Sequence, residues 1–242
     1  MKKLNNAPLI YVEYKIWWHL YTPKDYQKSE YIVGDYFSLI RDNYPIREIG
    51  NSEESNFFLK ENNTTSFLRK ENDDESYKIS LSKKSLTLLT ENKSYEWDNF
   101  EEEVDTVSKP LLKTVNNLLS CDHYHLALQY FNFIEFDSKE HKVLDFLNGN
   151  FNLSIAQKIY SEETNSLFLV FTYKFDDDSD ITIEIGTGEY DNKKGLIVKQ
   201  TADSGKVQPD YPNFKKWNIM AHEVCSNNFH SMFTPEFYKS FS

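Results

Sequence analysis

The second half of the chain restates the layout of the first. Each half opens with an aromatic-rich extended segment, residues 9–18 and then 125–136. Each continues through short strand-like runs and closes on a long amphipathic stretch, residues 98–120 and then 213–229. In the opening segment Ile10, Val12, Tyr14 and Ile16 alternate with Leu9, Tyr11, Glu13 and Lys15. One face is apolar and the other mixed, the period of a half-buried strand. Pro8 stands at its start, where a missing N–H is tolerated.

The rest of the first half predicts a short helix over 31–41 and strands over 57–60, 66–70, 77–82 and 85–90, separated by polar turns. Asp98 with Glu101 has the spacing of a capping box. Phe100, Val104, Val107, Leu111, Val115 and Leu118 then mark one helical face, with Pro110 either kinking that helix or starting a second. The second half predicts a buried strand from 125, a short helix over 142–147, and strands over 153–160, 167–175, 181–185 and 196–200. Turn residues at 176–180 and 191–195 read as hairpins. In the closing helix Phe214, Trp217, Ala221 and Val224 are expected to face the core, with Met220 and Cys225 at its edges.

Each half therefore reads as a β-α-β4-α unit. The expected fold class is α+β: two halves, 1–122 and 123–242, packed as one pseudo-symmetric domain whose curved antiparallel sheet is covered by the long helices. This element order resembles the TATA-binding-protein-like and helix-grip folds, a likeness of fold that fixes no function.

Composition narrows the function classes. Eighteen Phe, 16 Tyr and 4 Trp supply a core despite modest aliphatic content. Seven glycines argue against a glycine-rich phosphate loop. With 27 basic and 38 acidic residues, the formal charge of −11 repels phosphate backbones. The lysine pairs Lys83-Lys84, Lys193-Lys194 and Lys215-Lys216 read as solvated turns or faces, so nucleic acid is not the expected partner. Two cysteines make no disulfide framework. No run has the length of a signal core or a membrane span, so a cytoplasmic location without membrane insertion is expected.

Four stretches in order resemble a sporadically distributed bacterial family of no assigned activity. They are Asn6-Ala7-Pro8 leading into an extended segment, Tyr95-Glu96-Trp97-Asp98-Asn99-Phe100 at the entry to a central helix, Leu128-Gln129-Tyr130-Phe131-Asn132 in a strand, and His222-Glu223 with Phe229 and Thr234-Pro235-Glu236. Gln129 stands where the family carries Arg. The resemblance implies no chemistry. Its sporadic distribution implies genes of mobile elements or antiviral defence.

No catalytic set has convincing spacing. Cys121, His123 and His125 are the best metal candidates, since the two histidines share a strand side, but a further ligand is not evident and no bound zinc or other cofactor is expected. His222 lacks the second histidine of a zinc-protease helix, with Ser226 in that place, and pairs at best with Cys225. Asp176-Asp177-Asp178-Ser179-Asp180 lacks the Gly and Glu of a calcium loop. Gly186-Thr187-Gly188 reads as a strand bend, and Asn6 and Asn132 as backbone pins. Trp17, Trp18, His19 and Tyr21 cluster at the end of the first strand. With Tyr130 and Asn132, Trp17, Trp18 and Tyr21 are the binding candidates.

The leading expectation is a non-enzymatic cytoplasmic sensor or adaptor of an antiviral system that engages a protein partner such as a co-encoded effector. A ligand-binding or enzymatic helix-grip protein with an aromatic-lined pocket, and nucleic-acid binding on a concave sheet, are the alternatives.

Overall fold

A computed structural model describes residues 6–50, 64–68, 77–136, 142–156, 164 and 166–242. The elements in chain order are β1 (Leu9–Trp18), α1 (Pro23–Ser29), α2 (Ile32–Ile40), β2 (Ile46–Gly50), β3 (Thr64–Leu68), β4 (Lys78–Leu81), β5 (Ser85–Glu91) and α3 (Trp97–Leu118). They continue with β6 (Tyr124–Glu135), α4 (Val143–Asn150), β7 (Phe168–Asp176), β8 (Ser179–Tyr190), β9 (Lys193–Asp203), α5 (Tyr211–Met232) and α6 (Pro235–Lys239). The fold is mixed α+β, with an antiparallel sheet in the order β2-β3-β4-β5-β1-β6-β9-β8-β7. The opening strands of the two sequence halves are neighbours. Outward from them the order runs β1, β5, β4, β3, β2 one way and β6, β9, β8, β7 the other. Among the described residues no helix is long and apolar enough to cross a membrane.

The chain packs as two compact units. One comprises Val12–Leu128 and Ser204–Ile219; the other comprises Met1–Tyr11, Gln129–Asp203 and Met220–Ser242. In the first, Val12, Tyr14 and Ile16 are buried, as the alternation of β1 predicts, and Trp18 is buried with them. In the meander β2–β5, Phe67 stands opposite Ile79 and Ile79 opposite Leu88, so the inward face is a continuous apolar row. Helix α3 buries Phe100, Val104, Val107, Leu111 and Val115 and runs unbroken through Pro110. Its start differs from expectation. Glu96 is the N-cap without a side-chain bond, and Asp98 lies inside the first turn, so the Asp98–Glu101 capping box does not form. Packing of Tyr95 and Trp97 on Phe100, with ring centroids 5.7 and 6.3 Å away, fixes this entry instead. A capping box does form where none was expected, at α1: Thr22 and Asp25 bond reciprocally, with Pro23 in the first turn.

In the second unit β7, β8 and β9 form the hairpins that the turn residues predict. Asp191 and Asn192 both have positive φ, 50° and 60°, the two-residue turn that matches strand twist. Gly188 and Gly195 face each other across β8 and β9. A Cβ on Gly195 would collide with the Ile134 carbonyl oxygen and the Phe133 ring, so this strand position admits no side chain. Phe146, Phe151, Phe229, Phe233, Phe237 and Phe241 pack edge-to-face and tilted where α4, α5 and α6 meet. In α5 it is Cys225 that is buried and Val224 that lies at the edge, the reverse of expectation.

Two sequence-predicted strands fare differently, and one strand was not predicted. Residues 57–60 lie outside the described residues, and β2 is a strand the pattern did not reveal. Residues 153–156 of the segment 153–160 are not in a strand. Both backbone groups of Ile155 are met by the Asn148 side chain, at 2.9 and 2.7 Å, which replaces a strand partner. Residues 157–160 lie outside the described residues.

Candidate metal centre

The end of β1 and the start of β6 bring three imidazoles together. Trp17 stacks on His125, with centroids 5.3 Å apart and planes 14° apart. Tyr11 stacks on Phe131 in the same way, and the antiparallel pairing that joins both stacks sets His19 opposite His123. The ring centroids lie 5.4 Å apart for His19–His125, 5.5 Å for His123–His125 and 6.0 Å for His19–His123. One nitrogen from each ring falls within 4.8 Å of the others. His123 is buried, His125 half-buried and His19 exposed.

Hydrogen bonding sets the tautomer of the buried ring. Asp122 Oδ1 lies 2.8 Å from His123 Nδ1, so Nδ1–H donates to the carboxylate and Nε2 carries the lone pair. The Tyr21 hydroxyl reaches that Nε2 at 3.3 Å. Burial holds His125 below the ordinary imidazole range, and the neighbouring His123, His19 and Lys206 lower it further. His125 is accordingly a neutral imidazole, the ligand form, at neutral pH. Partial burial raises the Tyr21 phenol, and the Asp122 carboxylate adds to the rise.

The donor set fits a divalent transition metal, for which imidazole is a common ligand. Zinc–nitrogen bonds of about 2.0–2.1 Å place tetrahedral ligand atoms about 3.3 Å apart. The imidazole nitrogens must therefore close by up to about 1.5 Å around an ion. His19 lies just past the end of β1 and is exposed, so rotation of its side chain can supply the movement.

The remaining candidates are placed as follows. The Cys121 thiol donates to the His123 carbonyl oxygen, 3.0 Å away, and burial pushes it up, so it stands aside from the imidazole cluster. Trp18 is buried with its ring edge-on to Tyr124 and offers no binding surface, a correction that follows from its place on the inward face of β1. Trp17 is half-buried with Lys15 Nζ 5.8 Å from its ring, and Tyr21 is 55% exposed. Asn132 is buried and donates to the Val198 carbonyl at 3.2 Å, which makes it a backbone pin rather than a contact surface. Tyr130 meets His222 Nδ1 at 2.7 Å in the unit that holds Gln129–Asp203. Burial pushes the Cys225 thiol up to about 12, so it supplies no thiolate to His222. Gly186 and Gly188 lie within β8, and residues 177–178 turn between β7 and β8. No group of three metal-ligating side chains other than His19, His123 and His125 occurs among the described residues.

Sequence reasoning had grouped His19 with the aromatics and passed over Asp122. Trp17 and His19, like His123 and His125, are spaced for one side of an extended chain, but nothing local pairs the two segments. The chain matches no family model, no curated protein and no solved structure.

Proposed function

We propose that this chain is a metal-binding protein in which His19, His123 and His125 hold one divalent transition-metal ion. The observation that carries this reading is the convergence of three imidazoles, one nitrogen from each within 4.8 Å of the others, on a buried His123 whose Nδ1 is held by Asp122. His19 takes the place beside His123 and His125 that Cys121 does not fill. Calorimetric titration of the metal-free protein with zinc tests it. One equivalent binds, and His19→Ala and His125→Ala each weaken binding while the circular dichroism spectrum stays native. A folded wild-type protein that takes up no zinc, or one whose uptake both substitutions leave unchanged, overturns the reading.

A second reading, an adaptor for a protein partner, is favoured by β7. This edge strand exposes Phe168, Val170 and Tyr173, and Tyr190 is exposed at the end of β8. Among the described residues β7 is the edge of the sheet, and an apolar edge strand accepts an extended segment of another protein. A photo-crosslinking residue at position 170 then captures one defined protein in cells that the same residue at exposed position 236 does not. Equal capture at both positions refutes it.

A further inference from the structure

We infer that Tyr21 is the fourth ligand of the centre and closes it. The inference rests on the reading of His19, His123 and His125 as metal ligands. Its geometric basis is a distance. The Tyr21 oxygen lies 3.3 Å from His123 Nε2, and two ligand atoms about 2.0 Å from one tetrahedral ion are about 3.3 Å apart. This pair already has the spacing of adjacent ligands.

The backbone explains why the phenol is held there. Tyr21 directly precedes Thr22, whose amide and hydroxyl both donate to Asp25 Oδ2, at 2.9 and 2.8 Å, while the Asp25 amide returns a bond to the Thr22 hydroxyl. A reciprocal cap of this kind fixes the entry of the chain into α1 and with it the direction of the preceding side chain. Tyr21 is 55% exposed, yet its hydroxyl turns to the imidazoles, reaching the only His123 nitrogen that Asp122 leaves free. The nearby alternative, the Cys121 thiol, is directed at a carbonyl oxygen.

Coordination chemistry gives the consequence. Three neutral imidazoles leave the whole charge of a divalent ion uncompensated, and a phenolate offsets one unit of it. On coordination the phenolic O–H bond breaks, an O–metal bond forms, the proton passes to solvent, and no electron moves. Imidazole binds copper as well as zinc, and a phenolate bound to copper(II) absorbs in the visible, so copper reports whether the phenol coordinates. Four protein ligands leave no position for the activated water of a zinc hydrolase, so the centre binds its ion without hydrolytic chemistry.

Copper(II) serves as the probe, with absorption spectroscopy as the readout. The full chain is expected to take one equivalent and to show a phenolate-to-copper charge-transfer band in the visible. Tyr21→Phe keeps the stoichiometry, loses the band, and binds about a hundredfold more weakly, the upper end of the loss seen even for partners outside the coordination shell. A band that survives in Tyr21→Phe, or a wild-type complex with only the weak ligand-field absorption of copper–imidazole, overturns the Tyr21 assignment and leaves the three-histidine centre standing. Absence of any copper spectrum in a folded wild-type chain removes both.

Discussion

Asp122 touches no metal in the proposed centre, so its effect on metal affinity isolates the electrostatics of the site. The perturbation is Asp122→Asn, which keeps an oxygen beside His123 Nδ1 and removes the charge. From the carboxylate oxygen to an ion on Nε2, the path runs along the 2.8 Å hydrogen bond, across the ring and along one metal–nitrogen bond, about 6.5 Å in all. The Asp122 side chain is 75% exposed, so the dielectric of water applies. Charges of +2 and −1 at that separation then attract by about 1.3 kcal/mol, roughly tenfold in affinity. Competition against a chelating dye measures it: zinc affinity is expected to fall about tenfold at low ionic strength, with the difference shrinking in high salt. Thermal melting without metal serves as the control for folding. Unchanged affinity at low salt, or a loss as large as that of His125→Ala, would refute the reasoning. The first outcome means that the charge of the carboxylate is not felt at the ion, and the second means that Asp122 is itself a ligand.

Gly195→Ala forces a methyl group into the Ile134 carbonyl and the Phe133 ring and is expected to cost about 1–3 kcal/mol in urea unfolding; a neutral result would show that β9 shifts freely. Because His125 titrates below its ordinary range, the folded chain binds fewer protons than the unfolded one just below about pH 6.5. Its contribution to stability, full above that value, is therefore lost as pH falls from there through the lowered folded value, and the drop in urea midpoint is smaller in His125→Gln. Cys225, with its thiol pushed up to about 12, is expected to react with a disulfide reagent only after denaturation, whereas half-buried Cys121 reacts in the native protein; equal rates for the two would contradict the burial of α5.

The parts of the fold legible in the sequence are those where one physical signal dominates. Alternation in 9–18 marked β1 because Val12, Tyr14 and Ile16 all turn inward, and a helical stripe marked α3. The Asp-Asn pair at 191–192 announced its turn because few residues tolerate two successive positive φ angles. Capping was less legible. Asp98 and Glu101 have the right spacing but lie within a helix whose entry aromatic packing decides, while Thr22 and Asp25 cap a helix too short to show a stripe. The site was half legible. His123 and His125 share a strand side by periodicity, but His19 joins them only through the pairing of β1 with β6, about a hundred residues apart along the chain, and no local pattern encodes a register. Trp18 was misplaced because a cluster of aromatics does not say which of its members points inward.

The segment structure of the two compact units bears on how the chain acquires its fold. The unit built around Gln129–Asp203 also needs residues before Val12 and after Ile219, and the unit built around Val12–Leu128 takes in Ser204–Ile219. Neither can close while the ribosome is still making β7, β8 and β9. Strands β1 to β5 must wait on the tunnel's exit side for a helix made much later, and contacts between residues this distant in sequence form slowly. The meander β2–β5 pairs locally, but each unit stays incomplete until its late segment is made, and that is the interval in which holding chaperones have most to bind.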